Sequence, residues 1–292
     1  MIRAPVRIDA VMLEARAAAL AKRAIKASAK RAGIDLAIAA LDLTTLEGKD
    51  TPDKVRGLCA RGRSPAPGAP SVAAICVYPN LVPAAVRGVA GSSVRVASVS
   101  TAFPSGLSSL DLKIRETHEA LGSGAHEIDM VIDRGLFLAG RHDTVLAEIV
   151  AVKRACGSAT LKVILEAGEL GSYAAIRRAC DLALAGGADF LKTATGKIGI
   201  SSTPAIALVL CEAIRDHARG TGRAAGLKLA GGIRTTKAAL GYLALVNETL
   251  GPAWLVPERF RIGASALLDD LLMQRASGAS GNYSAASYIA TA

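Results

Sequence analysis

Aromatic residues are scarce in this chain. One Trp, four Phe and five Tyr make up 3% of 292 residues. A hydrophobic fraction of 51% must therefore be met by Ala, Val, Leu and Ile, which suits close helix-on-strand packing. Aromatic-rich or RNP-like segments are missing, which argues against a nucleic-acid-binding module. No apolar run approaches ~20 residues, so no membrane span is expected. The five cysteines (Cys59, Cys76, Cys156, Cys180, Cys211) form no CxxC pair. A disulfide framework and a zinc site are both unexpected, and the setting reads as reducing. The four histidines (His118, His126, His142, His217) lack HExxH or i, i+4 spacing, so no metal is expected.

Acidic residues are outnumbered: 35 Lys and Arg against 25 Asp and Glu give a formal net charge of +10. Such a surplus favours anionic partners. The cations are spread along the chain, apart from an N-terminal group of Arg16, Lys22, Arg23, Lys26, Lys30 and Arg31. With no membrane and no nucleic-acid signature, a small phosphorylated molecule is the expected partner. The N-terminal group also contains Asp9 and Glu14 and lacks an apolar core. It reads as a leading amphipathic helix, with an organelle-targeting segment as the alternative.

What is present is alternation. Eight short apolar runs are 36–44, 72–79, 94–100, 126–133, 161–167, 189–196, 226–232 and 259–266. Longer stretches of helical period separate most of them, such as 108–124 and 235–251. Near-continuous apolar strands imply burial on both faces, hence a parallel sheet. Eight βα units in one chain of this length predict a closed (β/α)8 TIM barrel, an α/β fold, rather than an open doubly wound sheet. The expected organisation is a single domain, 1–292: an N-terminal helical extension over 1–35, the barrel over 36–272, and a flexible tail over 273–292. Gly186-Gly187 and Gly122-Ser123-Gly124 close helices before strands. The segment 62–70 is a Pro/Gly loop before the second strand.

Four charged residues stand out on the strands. Asp42 ends the first, Asp129 lies in the fourth, Lys192 in the sixth and Lys228 in the seventh. The sixth and seventh strands are neighbours, so the two lysines should be close. A second cation within ~4–6 Å and partial burial both disfavour the charged form of an amine. The neutral amine attacks a carbonyl to give a Schiff base, an electron sink for making or breaking the adjacent carbon–carbon bond. A carboxylate such as Asp129 then moves protons. One lysine at a strand end can equally reach solvent or form a structural ion pair. Two on adjacent strands, with carboxylates on others, make the chemical reading the stronger one.

Glycine turns supply a second half. Gly231 and Gly232 in GGIRT follow the seventh strand, Gly263 and Ser265 in RIGAS follow the eighth, and Gly196 and Lys197 follow the sixth. Free backbone N–H groups at such turns bind anions, and phosphate sites after strands seven and eight recur in these barrels.

These segments resemble the deoxyribose-phosphate aldolase family of class I aldolases. The matching stretches are LDLTTL (41–46), AAICVYP (73–79), EIDMVID (127–133), LKVILEAGEL (161–170), ADFLKTATGK (188–197), GLKLAGGIRT (226–235) and RIGASALL (261–268). The resemblance implies Lys192 as the Schiff-base lysine and Lys228 as the neighbouring cation that lowers its pKa. Asp129 is then the proton relay, and Asp42 orients Lys228 and a substrate hydroxyl. Phosphate would rest on Gly196, Gly231, Gly232, Gly263 and Ser265, with Lys197 and Arg234 nearby. The implied reaction is reversible cleavage of 2-deoxy-D-ribose 5-phosphate to D-glyceraldehyde 3-phosphate and acetaldehyde. No metal or organic cofactor is implied; the setting is cytoplasmic deoxyribonucleotide catabolism and the assembly a homodimer. Where the family reads Gly-Ala-Ser-Ser, this chain has Ala266 in the fourth place, removing one hydroxyl from the phosphate site. A family tyrosine near the C-terminus assists proton transfer; Tyr288 takes that place, with Tyr283 as its rival. Cys76 matches a family cysteine near the site and is expected to act as a small core residue. A different Schiff-base aldolase of sugar phosphates and a barrel that merely binds a phosphorylated ligand are the competing readings.

Overall fold

The computed structural model describes residues 7–23, 27–199 and 202–280. Two helices come first, α1 (Ala10–Ala21) and α2 (Ala27–Ala39). Then strands and helices alternate: β1 (Leu41–Thr44), α3 (Pro52–Arg63), β2 (Ala74–Val77), α4 (Val82–Val89), β3 (Arg95–Ser100), α5 (Leu110–Gly122) and β4 (Glu127–Val131). The second half runs α6 (Arg134–Leu138), α7 (His142–Cys156), β5 (Thr160–Ile164), α8 (Tyr173–Ala185), β6 (Phe190–Lys192) and α9 (Pro204–Thr221). It closes with β7 (Gly226–Ala230), α10 (Thr236–Leu250), β8 (Phe260–Ala264) and α11 (Leu267–Ser280). The strands pair in parallel and in sequence order, and β1 pairs β8, so the barrel is closed. The eightfold alternation read from the sequence is borne out.

Hydroxyl caps fix where the helices begin. Thr51, Ser109, Ser172, Thr203 and Thr235 each accept a backbone N–H two or three residues into α3, α5, α8, α9 and α10. These caps satisfy donors that a helix start leaves open. Because each follows a strand, they gather at the carboxyl end of the barrel.

Two apolar layers form. Outward side chains such as Leu43, Ile75, Val96, Ile128, Val163, Leu191, Leu229 and Ile262 pack under the helices in the main core. A separate inner cluster holds Ala74, Cys76, Ala97, Val99, Val131 and Ile164. These barrels are ordinarily filled inside by bulky aliphatic side chains. Here small residues line β2 and β3, and the volume they leave is taken by long charged side chains from β5 to β8.

Two boundaries differ from expectation. The run 36–44 is not one strand: α2 continues to Ala39 and β1 starts at Leu41. Ile34, Ala37 and Ile38 are buried at helical spacing and Leu41 and Leu43 at strand spacing, so one apolar run serves two periods. The helical extension therefore runs four residues past position 35. At the other end, α11 reaches Ser280, so the tail expected from residue 273 is helical at its start. Arg275 anchors that helix: its Nε donates to Asp35 at 2.6 Å, and its guanidinium also donates to the carbonyls of Pro67 and Gly68. α1 lies against α9 and α10, tied by an Arg16–Glu212 pair at 2.5 Å.

Candidate active site

Register brings the charges together. Lys192 pairs Lys228 across β6 and β7, Asp129 pairs Lys162 across β4 and β5, and Lys228 pairs Arg261 across β7 and β8. Residues in register on parallel strands share a face, and this face is the barrel interior. Lys192, Lys228, Asp129 and Asp42 are all buried, the last three completely.

Asp129 is the hub. Its Oδ2 accepts from Lys192 Nζ and from Lys228 Nζ, each at 2.7 Å, and its Oδ1 accepts from Lys162 Nζ at 2.8 Å. The two lysine nitrogens share one oxygen and so cannot lie farther apart than twice that distance. Lys228 also meets Asp42 Oδ2 at 2.5 Å, a close charge contact rather than an aligned hydrogen bond. Asp42 Oδ1 accepts from Arg261 at 2.6 Å. Lys162 lies 2.5 Å from Glu127 and 3.4 Å from Asp42. Arg261 donates to Glu127 at 2.8 and 3.2 Å.

Among the described residues, four cations inside the barrel (Lys162, Lys192, Lys228, Arg261) thus face three carboxylates (Asp42, Glu127, Asp129). One cation is in excess, and burial makes an excess charge costly. Lys192 is the one that gives way. Burial lowers its pKa, Asp129 opposes and Lys228 adds to the lowering, and the outcome is a pKa below that of an ordinary lysine. The others go the opposite way. Burial would lower Lys228 and Lys162, but their carboxylate partners raise both above the usual lysine range. Burial would raise Asp129, but Lys162, Lys192 and Lys228 together hold it well below the usual carboxylate range. At rest the cluster therefore holds its other groups charged around one amine able to lose its proton.

The expected depth of these groups needs correction. Asp42 does not end its strand; β1 continues to Thr44. Asp42, Asp129 and Lys228 sit beneath the mouth, because each lies two residues short of its strand end. Of the four strand residues singled out, only Lys192, the last residue of β6, reaches the cleft above.

That cleft has a volume of about 450 Å³ and opens at the carboxyl ends of the strands. Gly196, Lys197, Gly231, Gly232, Arg234, Gly263, Ser265 and Ala266 all line it, so the structure brings every expected anion-binding residue to one place. Gly231 and Gly232 hold φ of 89° and 81°, a conformation that disfavours any Cβ. Gly263 answers a different need: a Cβ there would lie 3.0 Å from Lys228 Cε, so glycine gives that lysine its channel. Lys197 reaches Glu47 at 2.7 Å in an exposed pair, the kind that an anion can displace at little cost. Arg234 is exposed at the rim. Cys76 is buried with Sγ 4.0 Å from Asp129 Oδ2. Tyr283 and Tyr288 lie outside the described residues.

The chain matches the DeoC/LacD family aldolase model over residues 36–269. It belongs to the DeoC/LacD aldolase family. Relatives in this family include the deoxyribose-phosphate aldolase of Mus musculus, 42% identical over 91% of this chain and 87% of that protein. The Homo sapiens deoxyribose-phosphate aldolase is 41% identical with the same coverage. Among solved structures, a deoxyribose phosphate aldolase from Aeropyrum pernix, described as having a unique tetrameric structure, aligns with a TM-score of 0.65. It is 25% identical, covering 86% of this chain and 93% of that one.

Several residues of this aldolase's site went unpicked in the sequence. Lys162, Glu127 and Arg261 carried the same signal as Lys192, a charge at an inward position of a strand buried on both faces. Glu166 carried none. It stands just past β5 with φ of 51°, unusual for a non-glycine residue. Its carboxylate accepts from Thr195 N–H at 3.1 Å and from the Thr195 hydroxyl, and Thr195 Oγ1 in turn accepts from Lys197 N–H at 3.0 Å. Arg134 joins it at 3.3 Å. Glu166 thus holds the Thr195–Lys197 turn, the floor of the cleft beside Lys192.

Proposed function

We propose that this aldolase cleaves 2-deoxy-D-ribose 5-phosphate reversibly into D-glyceraldehyde 3-phosphate and acetaldehyde through a Schiff base on Lys192. One observation carries the reading: a buried lysine of lowered pKa opens into a glycine-lined cleft while sharing a carboxylate with a second lysine.

In this mechanism the neutral Lys192 Nζ attacks C1 of the open-chain sugar and water departs, leaving an iminium. The C3 hydroxyl passes its proton through water to the Asp129 relay, which later supplies the proton taken up at C2. The bond between C2 and C3 breaks, and the electrons of that bond pass into the iminium, which becomes an enamine. D-glyceraldehyde 3-phosphate leaves; the enamine takes a proton at C2, and water releases acetaldehyde and the free amine. Asp129, bonded to both lysines, passes protons between Lys192 and Lys228. Asp42 holds Lys228 in place. The phosphate rests on the backbone at Gly196, Gly231, Gly232, Gly263 and Ser265, near Lys197 and Arg234. Ala266 lends no hydroxyl to that site.

The assembly we expect is a homodimer, and the setting is the reducing cytoplasm, in keeping with five free buried cysteines. Among the described residues no helix is long and apolar enough to cross a membrane.

Steady-state kinetics test the substrate. We expect 2-deoxy-D-ribose 5-phosphate to be cleaved with kcat/KM ~10²-fold or more above that of unphosphorylated 2-deoxyribose, since binding at the phosphate serves the reacting carbons. Preference for a sugar phosphate of another chain length would identify a different Schiff-base aldolase. Tight binding without turnover would leave only a phosphate-binding barrel.

A further inference from the structure

The charge network does not stop at the cleft. Glu127 opens β4, two residues before Asp129, on the same inward face. Arg261 is its partner from β8, and both line an opening of about 410 Å³ at the amino ends of the strands, together with Arg95, Phe190 and Pro257. Neither lines the cleft above, so neither can touch a substrate there. Both are nonetheless buried, at 1% and 4% exposure. The path between the two ends is short: Glu127 to Lys162 at 2.5 Å, Lys162 to Asp129 at 2.8 Å, Asp129 to Lys192 at 2.7 Å. A second arm runs from Glu127 through Arg261 and Asp42 to Lys228.

We propose that Glu127 and Arg261 are positioning residues that set the charge state of Lys192 from the far end of the barrel. The reason is the count of charges. Four cations against three carboxylates leave one proton to be given up, and Lys192 gives it up. Taking away Glu127 widens the excess, so Lys192 sheds its proton at lower pH. Taking away Arg261 cancels the excess, so Lys192 keeps its proton to higher pH. Buried charges are poorly screened, so a charge separated from Lys192 by two or three intervening residues of this chain of ion pairs still shifts it, by about one pH unit.

Every charged neighbour enters that balance. Glu127 faces Arg95 from β3 at 2.8 Å, Lys162 from β5, Arg261 from β8 and Asp42 from β1. Arg95 is half exposed, so solvent screens it. Arg261 faces Asp42, Glu127 and the Pro257 carbonyl, with its guanidinium 5.7 Å from the Phe190 ring centroid. Lys192 faces Asp129 from β4, Lys228 from β7 and Cys76 from β2.

This inference rests on Lys192 being the titrating amine, and its test measures that amine without requiring turnover. The full-length protein is methylated with formaldehyde and cyanoborohydride across a pH series. Labelling of the Lys192 peptide is read by mass spectrometry and normalised to exposed Lys49. Glu127→Gln is expected to move the labelling midpoint down by about one pH unit. Arg261→Met is expected to move it up by a similar amount, the double variant to fall between them, and Arg261→Lys, which keeps the charge, to stay with the parent. Midpoints that do not move, or that move in the same direction in both single variants, overturn the inference; a merely structural pair would behave so. A parent whose Lys192 labels only in the ordinary lysine range instead overturns the Schiff-base reading itself.

Discussion

Replacing Lys192 with Met abolishes turnover and leaves the barrel at least as stable as before: this is the result expected from the charge count. Methionine matches the lysine stem in length and removes the one excess cation. Asp129 keeps Lys162 and Lys228, so three cations then face three carboxylates. No nucleophile remains, and a residual rate ~10⁴-fold or more below the parent is expected from losing covalent catalysis. The stability side follows from linkage. The folded-state pKa of Lys192 lies below its unfolded value, so the unfolded chain binds the proton more tightly. Lys192 therefore costs the parent stability, fully below its folded pKa and not at all above ~10.4. Thermal melts near neutral pH should place Lys192→Met level with the parent or a few degrees above it, with any gap closing as pH rises. A variant that melts far below the parent would mean that Lys192 holds the fold together, and the account of its burial would be wrong.

Lys228→Leu has the second-largest expected effect, and its signature is a displaced pH profile. Without Lys228, three cations again face three carboxylates, but now Lys192 is one of the three. The amine then keeps its proton to higher pH. Turnover near pH ~7 should fall ~10²-fold or more, both from the smaller neutral fraction and from loss of a proton-transfer partner. Part of that rate should return as the pH is raised. The stability change has the opposite sign to that of Lys192→Met. Lys228 has a folded pKa above its unfolded one, so it stabilises the fold fully below ~10.4, and that contribution is lost only as pH rises through the folded value. Its removal takes from Asp42 and Asp129 a partner at 2.5 and 2.7 Å. The expected cost is ~3 kcal/mol or more, typical of breaking a buried ion pair. An acidic limb that stays in place would show that proximity of the two lysines does not tune the amine.

The sequence carried the barrel well because alternation of apolar runs with helical stretches is a local signal repeated eight times. It failed at residues 36–39, where helix and strand share one apolar run, and at 273–280, where Arg275 anchors a composition that reads as loose. Lys192 and Lys228 were legible because neighbouring strand numbers imply neighbouring side chains. Lys162, Glu127 and Arg261 bore the same mark, a charge inside a strand with no wet face, yet the count of charges that unites them exists only once the barrel closes. Glu166 could not be found from the chain alone, since its role depends on a left-handed backbone turn and a hydroxyl 29 positions away.

The most direct measurement is borohydride reduction in the presence of acetaldehyde, followed by peptide mapping. The account predicts one added ethyl group, on the peptide containing Lys192 and absent from Lys192→Met. An adduct on Lys228 or Lys162 instead, or none at all, would contradict it.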